Sequence, residues 1–103
     1  MSEISLDSND LTWQLASEYP KGTQIKVLRR KGNLRTVLLR IPPHFWMDSH
    51  SHTICEQHFV LEGAYESGGK TFGPGAFRYI PAHTDHGPFS SETGAVLLIV
   101  WEG

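Results

Sequence analysis

The sequence predicts an all-β fold, a single small sandwich or barrel, and three observations carry that expectation. Short apolar stretches rich in β-branched residues follow one another along the chain, each bounded by Gly, Pro or Asn. No stretch shows a convincing helical period or helix cap. The length, 103 residues, leaves room for one core and little more.

The elements follow in order. Residues 1–11 are polar and acidic and read as an N-terminal arm, with 12–103 as the folded body and Leu11 and Trp13 as the docking points between them. QIKVLRR (24–30) sets Ile25 and Val27 against Lys26, and LRTVLLRI (34–41) resumes after a Lys31-Gly32-Asn33 turn, which is a hairpin signature. EQHFVLEG (56–63) and AYES (64–67) read as another pair, with Gly68-Gly69 turning the chain towards KTF. Gly73-Pro74-Gly75 interrupts again before AFRYIP (76–81). The last stretch, GAVLLIVWE (94–102), is a continuous apolar run and predicts a strand buried on both sides.

Bulk properties narrow the function classes. Hydrophobic residues make up 39% and charged residues 19%, an ordinary globular balance that excludes a disordered tail. The net charge is −2, yet residues 1–20 hold Glu3, Asp7, Asp10 and Glu18 without a base, and 21–40 hold seven Lys and Arg without an acid. A slightly acidic whole argues against nucleic acid as partner, so the basic block reads as a solvated hairpin facing the acidic arm of the same chain or of a partner subunit. No apolar run approaches the ~20 residues of a membrane helix. The start lacks the basic region and apolar core of a signal peptide, so a cytoplasmic address is expected. The single Cys55 excludes an intrachain disulfide and suits a reducing compartment. A domain this small gains from a metal or from oligomerisation, and its sheet edges predict a homodimer.

The chemistry concentrates in HSHTICEQH, residues 50–58. All six histidines, His44, His50, His52, His58, His83 and His86, fall between positions 44 and 86. His50 and His52 are two apart in a stretch that reads as extended, so they share a face. Glu56 opens the next strand after a bend, and alternation puts His58 and Val60 on its face, with Gln57, Phe59 and Leu61 on the other. His86 follows a turn at the end of a later strand, which a barrel can bring beside the first pair. Three imidazole nitrogens and one carboxylate oxygen, without thiolate, suit a divalent transition metal and disfavour calcium. Four such ligands around an octahedral ion leave two positions open for water, substrate or dioxygen. His83 reads as an exposed loop residue, His44 as surface, and Cys55 as a small buried filler. Of Trp46, Phe59, Phe77, Tyr79 and Phe89, one or two are expected at a pocket and the rest in the core.

Two motifs then point to a family. HSHTICEQHFVLEG runs H-x-H, three residues, Glu, six residues, Gly; GAFRYIPAHTDHGPF runs Gly, five residues, Pro, four residues, His. Both resemble the paired motifs of the cupins. His44 and His83 stand where those motifs usually place Gly, and Ser90 where the second often has Asn. LTWQ, YPKGTQIKVLRRKGNLRTVLLRIPP and HGPFSSETGAVLLIVWE extend the resemblance over roughly residues 12–102, and the group most resembled is the ChrR-like cupins, which are similar to the acetylacetone-cleaving dioxygenases.

The resemblance implies a double-stranded β-helix, or jelly-roll barrel, and one divalent metal per chain, Fe2+ or Zn2+ first and Mn2+ or Ni2+ after them. His50, His52, Glu56 and His86 match the zinc ligands of the ChrR-like cupins. The acetylacetone-cleaving enzymes use three His without the Glu, so Glu56 sets this chain nearer the four-ligand cupins. A dioxygenase acting on a small enolisable molecule is the expected function, with His58 or Tyr79 managing protons. The alternative is a non-catalytic sensor that binds metal and ligand. ChrR anti-sigma factors carry a separate helical domain for the sigma factor, for which these residues leave no room.

Overall fold

Side-chain alternation and turn residues lay the chain out as antiparallel strands in two sheets; a computed structural model describes residues 2–102. The strands are β1 (Gln14–Leu15), β2 (Gln24–Lys31), β3 (Leu34–Ile41), β4 (Phe45–Met47) and β5 (Cys55–Gly63). They continue as β6 (Tyr65–Ser67), β7 (Lys70–Phe72), β8 (Phe77–Ile80), β9 (Phe89–Ser91) and β10 (Ala95–Glu102). One sheet runs β1-β2-β3-β10-β5-β8 and the other β4-β9-β6-β7. The all-β class and the barrel-like architecture expected of the sequence are therefore present.

Apolar residues at every second position carry the packing. Val37, Leu39 and Ile41 of β3, Val60 of β5, and Leu97, Ile99 and Trp101 of β10 point inward from the large sheet. They meet Phe45, Tyr65 and Phe89 from the small one. The hairpin of β2 and β3 closes across Gly32 and Asn33, with Lys31 opposite Leu34 and a bulge near Leu28. β10 lies between β3 and β5, as its apolar run suggests. Its outward residues Val96, Leu98 and Val100 are only half-buried, however, because no second layer covers that face within this chain.

One expected pairing is absent. β5 does not pair with AYES; β6 pairs instead with β7 and β9, in the opposite sheet. Gly63 is the reason: at φ +70° it turns the chain out of one sheet and into the other. A Cβ there would collide with the Gly94 carbonyl. β6 and β7 form the hairpin across Gly68-Gly69.

The arm lies on the hairpin. A single 3-10 turn at Ser8–Asp10, not anticipated from the sequence, is capped by Asp7, whose carboxylate accepts from the Asn9 amide at 2.9 Å. Lys26 donates to the Ser8 carbonyl at 2.8 Å, and Lys26 and Arg40 both stack over Trp13. The basic hairpin thus does face the arm of its own chain, through the Ser8 carbonyl rather than through the arm's carboxylates, with the Trp13 indole just beyond the arm. No helix of the described residues is long and apolar enough to cross a membrane.

Candidate metal centre

Two loops bring the histidines together. The segment between β4 and β5 carries His50 and His52, and the segment between β8 and β9 carries His83 and His86. His50 and His86 exchange both backbone hydrogen bonds, at 3.0 and 2.9 Å, and the His83 amide donates to the His52 carbonyl at 2.7 Å. That lacing, rather than a regular strand, aligns His50, His52 and His86, whose ligand-type nitrogens all lie within 4.8 Å of one another. His83 reaches its place with φ +61° and His44 with φ +60°, the left-handed conformation implied where the cupin motifs usually have Gly. Both side chains are exposed, His44 lying 3.6 Å from the Glu92 carboxylate.

Backbone carbonyls orient the rings. A carbonyl oxygen only accepts, so His50 donates from Nδ1 to Asp48 O at 3.0 Å and His86 from Nδ1 to Thr84 O at 3.2 Å. Each neutral ring then presents Nε2 as a bare acceptor. His86 Nε2 is buried and has no hydrogen-bond partner among the described residues. Burial lowers the His86 pKa below its ordinary value, which keeps that nitrogen unprotonated.

Glu56 sits at the floor of this group. Its Oε2 is 3.4 Å from His52 Nε2 and its Oε1 is 3.6 Å from His86 Nε2. At His86 acceptor thus faces acceptor inside the fold, which is unfavourable unless a cation stands between them. Two atoms that share one ion at ~2.1 Å are separated by distances of this order. The residues present therefore fit a divalent metal: three imidazoles, two of them oriented by backbone carbonyls, one carboxylate, and an orphaned nitrogen aimed among them.

Behind Glu56 runs a chain of hydrogen bonds. His58 Nε2 lies 2.7 Å from Glu56 Oε1, and the Trp101 indole donates to Glu56 Oε2 at 2.6 Å. On its other side His58 Nδ1 lies 3.0 Å from the Tyr65 hydroxyl, to which Arg78 donates at 3.4 Å. Burial opposes the Glu56 charge, but the hydrogen bonds and positive charges around it prevail and hold its pKa down to about 2. Burial pushes the Tyr65 phenol up, against the lowering pull of Arg78.

The centre separates two spaces. Inward is a cavity of about 30 Å³, lined by Glu56, His58 and apolar side chains including Leu39, Phe89 and Ile99. It has room for one water-sized molecule. Outward is a cleft of about 680 Å³ whose walls include Glu18, Tyr19, Arg35, Trp46, His50 and His52. Tyr19, Met47 and His50 border both. Burial, with Glu56 and Glu18 nearby, drives the Tyr19 phenol well above its ordinary pKa, so it stays protonated.

The structure places the expected residues unequally. His50, His52, Glu56 and His86 come together, and His58 adjoins Glu56 as alternation along β5 predicts. Tyr79 does not join them, which corrects the expectation of a proton-handling role: it pairs with Gln57, on the outward face of β5 and β8, and is 56% exposed. Phe59 and Phe77 face outward opposite each other. Of the five aromatics weighed, Phe89 borders the cavity and Trp46 the cleft. Cys55 is half-buried, and its thiol donates to the Glu102 carbonyl. The sequence reading missed Tyr19, Tyr65, Arg35 and Trp101.

Known proteins bear this architecture. A proposed acetylacetone dioxygenase from Methylibium petroleiphilum PM1 superposes with a TM-score of 0.87 at 16% identity, over 100% of this chain and 78% of that one. An RmlC-like cupin from Shewanella frigidimarina NCIMB 400 gives 0.82 at 21%, over 97% and 90%. Rhodobacter sphaeroides anti-sigma ChrR, in complex with SigE, gives 0.74 at 23%, over 90% of this chain and 50% of that one. No curated protein sequence matches. The profile of the ChrR Cupin-like domain matches residues 1–102, and the chain belongs to that family.

Proposed function

We propose that the chain is a non-haem dioxygenase of small enolisable organic molecules, with His50, His52, Glu56 and His86 holding one divalent transition metal. The observation that carries this reading is the buried, unpartnered His86 Nε2 facing a carboxylate that stays ionised down to about pH 2. Iron(II) bound there would supply a Lewis acid for an enolisable group and a redox partner for dioxygen; zinc would supply only the former.

The chain's own residues do the rest. Asp48 and Thr84 carbonyls fix which nitrogen of His50 and His86 is bare. Trp101 and His58 keep both Glu56 oxygens oriented and anionic. His58 is buried behind Glu56 and lines the inner cavity, so its part is to hold a proton at Nε2 against Glu56, with the Tyr65 hydroxyl against Nδ1. The outer cleft admits a small molecule, while the apolar inner cavity excludes bulk water. Residence in the cytoplasm and a homodimeric assembly complete the reading.

Oxygen uptake by anaerobically Fe(II)-loaded protein, offered β-diketones, flavonols and hydroxyketones, tests it. Uptake that requires both a substrate and His86 is expected. A second reading, a non-catalytic metal-bound sensor, draws on the likeness to the ChrR half-chain. No uptake across the panel, with one zinc tightly held per chain, would favour it.

A further inference from the structure

We propose that Arg35 is a carboxylate receptor in the outer cleft, and that the substrate is a small organic acid with an enolisable ketone beside its carboxylate. The inference rests on the proposed function and narrows its substrate class.

Register puts three residues in a row across the large sheet. Trp101 of β10 is directly opposite Arg35 of β3 on one side and Glu56 of β5 on the other. The Arg35 guanidinium stacks 4.1 Å from the Trp101 ring centroid, and the same indole donates to Glu56 at 2.6 Å. A fixed cation therefore stands one indole away from the candidate metal ligands. Strands two places apart are about 10 Å from each other; the Trp101 indole fills the space between the two side chains, and Arg35 shares the wall of the outer cleft with His50 and His52.

The Arg35 side chain is 24% exposed, and its guanidinium is open to a ligand from the cleft. Its ion-pair partner is Glu18, at 3.7 Å, beyond hydrogen-bond range, and Glu18 is largely exposed. Among the described residues, no acceptor takes a hydrogen bond from any of its five N–H groups. Two other inward or ladder-flanking arginines are engaged: Arg40 places two donors on Gln24 Oε1, at 2.9 and 2.6 Å, and Arg78 donates to Tyr65. Arg29 and Arg30 share the lack of a protein acceptor but stand on the exposed hairpin, away from the cleft. Arg35 is also the one Lys or Arg in the cleft wall. A planar fork held over an indole, with no protein acceptor on its donors, matches a carboxylate. A neutral diketone filling the cleft would leave those donors unpaired.

The test compares acetoacetate with its neutral counterpart acetylacetone, by calorimetric titration of zinc-loaded protein, with metal content measured on the same samples. Arg35→Gln is expected to weaken acetoacetate binding about tenfold or more and to leave acetylacetone within about twofold. Glu18→Gln removes the competing carboxylate at an exposed position and is expected to tighten acetoacetate alone, by about two- to fivefold. Should Arg35→Gln fail to fold, Glu18→Gln decides, and unchanged acetoacetate binding overturns the inference. Equal weakening of both ligands by Arg35→Gln, or of neither, overturns it while the metal content stands at one per chain. Wild-type protein that takes up no zinc overturns the proposed function and this inference together.

Discussion

Trp101 donates its indole N–H to Glu56 Oε2 at 2.6 Å, and His58 occupies the other carboxylate oxygen at 2.7 Å. Glu56 is consequently oriented from behind, by residues on its own strand and the adjacent one, before any ion arrives. Its charge and direction are properties of the β5–β10 ladder.

Trp101→Phe keeps an aromatic ring but removes that donor. The buried carboxylate loses a partner, and a destabilisation of about 1–3 kcal/mol is expected in urea unfolding. Metal affinity, measured by competition with a chromogenic chelator, should fall roughly 10- to 100-fold. Unchanged affinity would mean that the indole does not position Glu56.

Tyr65→Phe cuts the chain one step farther out. His58 Nδ1 and Arg78 both lose the hydroxyl, so stability should drop by about 1–2 kcal/mol. Metal affinity should change far less than in Trp101→Phe, because both Glu56 contacts survive.

The metal-free protein should be sensitive to acid. The folded His86 pKa is lowered from 6.5, so the unfolded chain binds the proton more readily and stability falls as pH drops below that value. The folded Glu56 pKa is lowered from 4.5 to about 2, so its contribution is intact above 4.5 and fades as pH falls towards 2. Thermal melts of chelator-treated protein from about pH 7.5 to about pH 2 should show both losses, and His86→Gln should flatten the first. An identical slope in that variant would show that His86 is not the group responsible.

His44 adopts φ +60° with an exposed side chain, so His44→Gly relieves a left-handed conformation at little packing loss. It should raise stability by up to about 1 kcal/mol, or leave it level where chain entropy offsets the gain. A clear loss would reveal a role for the His44–Glu92 contact.

Much of the site was legible because alternation along EQHFVLEG assigns faces without knowledge of neighbours: Glu56, His58 and Val60 are all buried. The family motifs likewise picked out the left-handed positions 44 and 83. Other parts needed tertiary information. In AFRYIP, alternation sets Phe77 and Tyr79 against Arg78 and Ile80, and hydrophobicity favours the aromatic pair as inward; the β5–β8 register puts it outside. β4 and β9, three residues each, are too short to show a period. Trp101 meets Glu56, and Arg35 meets Trp101, only through the pairing of β3, β10 and β5, strands distant in sequence.

The most direct test of the account is elemental analysis of wild-type protein and His86→Ala, each loaded with zinc or anaerobic iron(II) and then dialysed. About one ion per chain in the wild type, and far less in the variant at unchanged secondary structure, is the predicted result. Wild-type protein without metal, or a variant that retains as much, would contradict it.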